Sequence, residues 1–243
     1  MISVRPTASP THNHLLGLLP APDRARLLEL CERVRLENGE VLCESGMPTR
    51  EVYFPLEGCV SLIARNDDSP ELELGLVGRE GMLGAPVALG VNVAPMRMVV
   101  QAAGAAWQMS VISFRQELGR SVALQRLVHR YLYVLMVQAA SSSVCQRFHA
   151  LGLRLARWIL VTQDRAGTDQ FHMTQELLAC RLGVRRVGIT HAAGALQSAG
   201  LIAYHRGHIH VLDRSGLEAA ACGCYAADRH TYASVLPVSG SAI

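Results

Sequence analysis

Residues 172–201, HMTQELLACRLGVRRVGITHAAGALQSAGL, hold two short helical patterns that meet at a glycine, and this pairing constrains the chain more than any other stretch. Thr174 stands as an N-cap, its hydroxyl able to accept a bond from an orphan amide of the first turn. Leu177, Leu178, Ala179 and Leu182 give the first helix an apolar face. Gly183 follows, where a left-handed backbone often ends a helix. Val184 reads as a plug between the helices. Ile189, Ala192, Ala193 and Leu196 form the inward face of the second, which Gly200 closes. Two short helices around such a turn make a helix-turn-helix, whose second helix offers its N-terminal residues to base edges in a major groove.

The outward positions at the start of that second helix hold Arg185, Arg186, Thr190 and His191. Arginine is the side chain shaped to grip guanine O6 and N7 together. An ordinary helical hairpin with two solvated arginines has the same pattern, but the next residues favour the DNA reading. Residues 201–204 and 209–212 read as short strands around Arg206-Gly207, a β wing beside the helix pair.

The charge supports that placement by its distribution rather than its sum of +3. Residues 172–212 carry four arginines and one acid, the balance a phosphate-facing surface needs. Seven cysteines without framework spacing predict unpaired thiols in a reducing compartment. The opening MISVRPTASPTHNH lacks the apolar core of a signal peptide, and every apolar run is broken by polar residues or arginine, so no membrane span is expected. These features together point to the cytoplasm. No nucleophile–base, paired-carboxylate or phosphate-loop motif is present, so an enzyme is not expected. His208, His210, Cys222, Cys224 and His230 are metal-ligating types, but without the spacing of a zinc module no metal site is expected.

In chain order, residues 1–14 read as a flexible tail and 22–34 as a short helix with Leu27, Leu28, Leu30 and Cys31 on its apolar side. From 35 to 114 brief β runs alternate with turns, at 41–43, 52–54, 60–64, 72–76, 97–101 and 105–112, with a hairpin turn at 66–70. Such spacing predicts a compact barrel or roll over 15–115. Residues 116–147 read as one long helix. Leu124, Val128, Tyr131, Leu135, Gln138, Ser142 and Cys145 alternate steps of four and three, the seam of a dimer helix. A hinge near residues 144–151 leads to a helix over 151–163, with Leu153, Leu155, Ala156, Ile159 and Leu160 facing the helix-turn-helix. The DNA-binding domain spans 148–220, a last helix 217–227, and a C-terminal extension 221–243. The fold class is α+β.

A β-roll, a long dimer helix, a hinge and a winged helix-turn-helix, in this order, resemble the bacterial transcription regulators of the cyclic-AMP receptor protein and FNR family. Glu44-Ser45-Gly46, Val52-Tyr53-Phe54, Gly58 and Val60-Ser61-Leu62 resemble the opening of the family's cyclic-nucleotide-type roll. Leu177, Leu178, Leu182, Gly183, Arg186, Leu196 and Gly200-Leu201-Ile202 resemble its helix-turn-helix. The resemblance implies a homodimer on an inverted repeat in double-stranded DNA, with RNA polymerase as a further partner. It makes Arg186 the guanine reader, Thr174 a phosphate contact with Gln175 beside it, and His205 and Arg206 wing contacts. Val187 and His191 replace a glutamate and an arginine of the cyclic-AMP receptor, so the preferred DNA sequence should differ.

The roll departs further from the pattern. Where the family's nucleotide binders have a glycine-glutamate step for the ribose, Gly84 is followed by Ala85. Arg97 lies about two residues from the phosphate-arginine position. A sugar hydroxyl without its acidic partner is poorly satisfied. Leu83, Gly84, Ala85, Arg97 and Gln138 are therefore expected to line an effector pocket for something other than cyclic AMP, if any effector is used. A cyclic-nucleotide response through the displaced Arg97, or a sensing module without DNA work, stay open as alternatives. Haem and an iron–sulfur cluster are not expected, since residues 31–115 contain no histidine and Cys31, Cys43 and Cys59 are dispersed.

Overall fold

The structure, a computed structural model, describes residues 13–65 and 71–237. The tail expected over 1–14 and the turn at 66–70 fall mostly outside this range. Asn13 and His14, however, belong to the fold. Buried Asn13 caps helix α1 (His14–Gly17) through the Leu16 amide and donates to the carbonyls of Pro55 at 3.0 Å and Gly81 at 2.8 Å.

Helix α2 (Ala21–Glu29) ends earlier than the expected 34, because Val34 and Leu36 alternate inward on strand β1 (Glu32–Leu36). Strands β2 (Val41–Cys43), β3 (Glu51–Pro55), β4 (Cys59–Ala64), β5 (Leu72–Val77), β6 (Arg97–Ala102) and β7 (Gly104–Ser110) complete the roll. They form two antiparallel sheets, ordered β1-β7-β3 and β2-β6-β4-β5. Gly58 turns between β3 and β4 at φ +71°, and a Cβ there would lie 2.2 Å from the Ala102 carbonyl oxygen, so the turn admits only glycine.

The predicted single helix over 116–147 is two. Helix α3 (Val111–Arg120) stops at Ser121, whose hydroxyl accepts the Leu124 amide and starts α4 (Val122–Phe148). The expected dimer seam also needs correction. Leu124, Val128 and Tyr131 are buried within this chain, against Val52, Phe54, Met82 and Phe114 of the roll. The Tyr131 hydroxyl donates to the Met82 carbonyl. Leu135 packs on the same core. The seam's periodicity is real, but its partner is the chain's own roll. The opposite face of α4 leaves Val122, Tyr133, Met136 and Val144 exposed.

The second core gathers Leu155, Ile159 and Leu160 of α5 (Leu151–Ala166) with Leu178, Ile189, Leu196, Ile202, Ile209 and Leu217. Leu153, expected inward, is 39% exposed, while Trp158 is buried. Strand β8 (Gln170–His172), not foreseen, joins β9 (Ile202–His205) and β10 (His208–Val211) in a sheet ordered β8-β10-β9. Helices α6 (Gln175–Leu182) and α7 (Arg186–Ser198) lie between β8 and β9 in sequence.

The sensor and reader meet through buried polar groups. The Trp158 indole donates to Glu73 of β5 at 2.8 Å, Arg181 of α6 stands 3.7 Å from the same carboxylate, and Arg165 pairs with Glu80 at 3.1 Å. Burial holds the Glu73 carboxyl above the usual range. The last helix is also two: α8 (Arg214–Ala220) and, after a break at 221–223, α9 (Cys224–Val235). Helix α9 returns along α4, the Tyr232 hydroxyl donates to the Glu80 carbonyl at 2.6 Å, and Leu236 enters the sensor core. The extension is thus a strap from the helix-turn-helix domain to the roll. No helix among the described residues is long and apolar enough to cross a membrane.

Candidate nucleic-acid interface

Thr174 caps α6 as expected, its hydroxyl accepting the Leu177 amide at 3.2 Å. Gly183, at φ +62° and ψ +43°, ends the helix in the left-handed conformation that its position demands. Leu178, Ala179 and Leu182 face inward, but Leu177 is 43% exposed, turned away from the stripe the other three share. Helix α7 starts at Arg186 with Arg185 as its N-cap residue, and buries Ile189, Ala193 and Leu196. Its open side presents Arg185, Arg186, Val187, Thr190 and His191, all exposed.

The structure brings Thr174, Gln175, Arg186 and Arg206 around one shallow concavity of about 330 Å³, together with Glu176, Tyr204 and Gly207. The Thr190 hydroxyl donates to the Gln175 side-chain oxygen at 2.8 Å, tying the two helices together. The Tyr204 hydroxyl donates to the Met173 carbonyl at 2.7 Å and fixes the wing against the start of α6. The wing turn places Arg206 at φ +49° and Gly207 at φ +84°. Two successive positive φ values define the tight hairpin turn whose twist matches its strands. Arg206 is the only non-glycine residue with positive φ among the described residues, and it holds a cation at the wing tip. His205 and His191 lie exposed on the wing and on α7, outside the concavity.

Glu176 is the member that the sequence did not reveal. Its carboxylate sits 2.9 Å from the Arg186 Nε, with both side chains exposed. In sequence an acid in the first turn of α6 reads as complementing the helix dipole. Its pairing with Arg186 follows only from the angle between the two helices.

The expected effector pocket does not assemble. Leu83, Gly84 and Ala85 line a small apolar cavity of about 60 Å³ with Met82, Pro86, Met98 and Leu135. Arg97 is absent from that lining and is engaged by Glu44 at 3.1 Å and Glu71 at 3.0 Å. Gln138 is one turn further along α4, where it lines a separate cavity of about 380 Å³ whose wall carries Arg79, Glu80, Arg157, Asp164 and Arg165. The bend of the roll over α4, not the register of the sequence, decides which residues meet.

The metal-ligating residue types also group differently from any sequence expectation. Cys222 and Cys224 meet Cys145 and His149, whereas His208, His210 and His230 lie outside that group. All seven cysteines are free thiols.

A nucleotide-binding-type roll followed by a winged helix-turn-helix defines a class of effector-linked DNA-binding proteins. Residues 33–121 match the cyclic nucleotide-binding domain and residues 153–220 the Crp-like helix-turn-helix domain. The two matches, in this order along one chain, are those of a Crp/Fnr-type DNA-binding transcription regulator. No curated protein matches it in sequence. Among solved structures, the fold is shared with the c-di-GMP responsive global regulator CLP of Xanthomonas campestris, at 18% identity and a TM-score of 0.65, covering 80% of this chain and 100% of that one. FixK2 from Bradyrhizobium japonicum is similar at 14% identity and a TM-score of 0.67, over 79% of this chain and 98% of that one. A CRP-family regulator from Thermus thermophilus is similar at 20% identity and a TM-score of 0.63, over 77% and 96%.

Proposed function

We propose that two copies of the chain pair along the open face of α4 and read an inverted repeat in duplex DNA, with half-sites about one helical turn apart. The observation that carries this reading is the concavity that Thr174, Gln175, Arg186 and Arg206 share between the helix pair and the wing. Arg186 reads guanine through its fork, and exposed Val187 offers apolar contact to a thymine methyl. Arg185, Thr190 and His191 extend the reading surface, and Thr174, His205 and Arg206 lie where phosphates pass. Val122, His129, Tyr133, Met136, Ala140 and Val144 follow steps of three, four and seven on the exposed side of α4, the pattern of a coiled-coil seam. They replace Leu124, Val128, Tyr131 and Leu135 as the proposed interface.

The roll answers to an effector other than cyclic AMP, or to none. A cavity of about 60 Å³ is well below the roughly 300–1,000 Å³ of ordinary ligand sites, and Arg97 is already neutralised by two acids. The protein works in the cytoplasm, where DNA and reduced thiols coexist. Regulation follows from how the bound dimer meets RNA polymerase.

The test is fluorescence anisotropy of the protein on DNA from its own upstream region and on a pool selected from random sequence, at two salt concentrations. Tight, salt-sensitive binding to an inverted repeat that Arg186→Ala weakens by about 1–3 kcal/mol supports the reading. Selection of no sequence, or unchanged binding by Arg186→Ala, overturns it.

A further inference from the structure

Three sulfurs and one imidazole converge where α4 ends. Cys145 and His149 are one turn apart at the C-terminal end of α4, His149 being its C-cap residue. Cys222 and Cys224 flank Gly223 at the start of α9. The Cys145 and Cys222 sulfurs are 3.5 Å apart, the Cys224 sulfur is 3.6 Å from His149 Nδ1, and all four ligand atoms lie within 4.8 Å of one another. Cys145 and Cys222 are buried, and Cys224 and His149 half-buried, which leaves an entry path from one side.

We infer that Cys145, His149, Cys222 and Cys224 form a four-ligand site for one zinc ion that pins the C-terminal helix to the hinge. With Zn–S about 2.3 Å and Zn–N about 2.0–2.1 Å, a tetrahedral site has ligand–ligand edges of about 3.8 Å between sulfurs and about 3.6 Å between sulfur and nitrogen. The sulfur–nitrogen edge from Cys224 to His149 already has that length, the Cys145–Cys222 edge of 3.5 Å must open by about 0.3 Å, and the widest must close by no more than about 1 Å. Three thiolates and one imidazole are the donor set of structural zinc. An iron–sulfur cluster sets its ligands apart by the width of the cluster and needs a wider ring.

The charges fit as well. Binding one divalent ion through three thiolates releases three thiol protons to solvent and leaves a site of net charge −1. Arg154 and Arg157 share a cleft wall with Cys145 and supply compensating positive charge. Arg157 is held in place by Asp228 of α9 at 2.6 Å, and its Nε is buried without a partner. The ion would join the last turn of α4, the α4–α5 junction and the first turn of α9. It thereby fixes the angle at which the reader hangs from the dimer helix.

The test uses the full-length reduced protein with any histidine tag removed. Zinc is counted by elemental mass spectrometry, and cobalt(II) is titrated in as a spectroscopic probe. The expected result is one zinc per chain and a tetrahedral cobalt spectrum with thiolate charge-transfer bands. Cys222→Ser, Cys224→Ser and His149→Gln should each weaken zinc binding by roughly 100-fold or more, since even outer partners of a ligand cost 10–100-fold. Cys31→Ser and Cys43→Ser should keep it. Far-UV circular dichroism verifies that each variant is folded, and Cys224 and His149, being half-buried, are the positions that tolerate change. Folded, reduced wild-type protein that takes up neither ion overturns the site. So does metal binding that survives Cys222→Ser and Cys224→Ser, or a Cys145–Cys222 disulfide whose reduction restores no zinc binding.

Discussion

The Glu176 carboxylate stands 2.9 Å from the Arg186 guanidinium, so an acid of the bracing helix holds the arginine expected to read guanine. DNA must compete with this pair or rearrange it. An exposed ion pair is worth only about 0.2–1 kcal/mol, and removing the acid also removes repulsion toward phosphate. Glu176→Gln should therefore tighten DNA binding several-fold and broaden base preference. Anisotropy titrations against cognate and scrambled duplexes check this, and weaker binding by Glu176→Gln would mean that the acid orients Arg186 productively.

The wing tip gives a prediction that separates charge from fold. Arg206 occupies the left-handed region at φ +49°, where asparagine is at home and most side chains are strained. Arg206→Asn should leave the melting temperature unchanged or raised, weaken DNA binding uniformly across sequences, and lower the salt slope by about one. A fall in melting temperature would assign Arg206 a structural role instead.

The proposed interface predicts opposite effects on the two faces of α4. Met136 is 62% exposed and Leu124 only 2% exposed. Met136→Glu should yield folded monomers in light scattering behind a sizing column. Leu124→Ala should cost about 2–5 kcal/mol of stability in urea, because it opens a cavity in the sensor core. A Met136→Glu protein that remains dimeric would remove this face from the interface.

His14 predicts a pH dependence. Burial, and next Arg79, hold its imidazole below the ordinary 6.5. A depressed histidine leaves the unfolded chain binding more protons as pH falls through about 6.5, so stability is lost from there down to the folded value. Urea midpoints should fall as the pH drops below about 6.5, and His14→Gln should flatten that fall. An equal slope in both proteins would place the loss elsewhere.

The parts of the fold that were legible were those set by local rules. Thr174 caps, Gly183 must adopt positive φ, and Ile189, Ala193 and Leu196 share one helical face whatever the rest of the chain does. The wing turn at Arg206-Gly207 and the alternating strands of the roll are equally local. A correct period does not identify its partner. Leu124, Val128 and Tyr131 form a true stripe, yet a stripe states only that something covers it. The patterns over residues 22–34 and 217–227 each predict a single helix, but the chain breaks at Leu30-Cys31 and at residues 221–223.

The sequence by itself determined that a roll precedes a helix-turn-helix, the caps and inward faces of the two helices at residues 174–198, and that alanine rather than an acid follows Gly84, because each rests on neighbours within a few residues. Tertiary structure alone decided which charges and ligands meet. It set Glu176 against Arg186, kept Arg97 with Glu44 and Glu71, and parted Gln138 from Leu83. It also carried Cys222 and Cys224 back across more than seventy residues to Cys145 and His149. The physical reason is that side-chain chemistry is short-ranged, acting over a few ångströms. The return of α9 along α4 is fixed by the burial of Leu236 and by Tyr232, which packs on the same core and bonds the Glu80 carbonyl, and no local pattern encodes it.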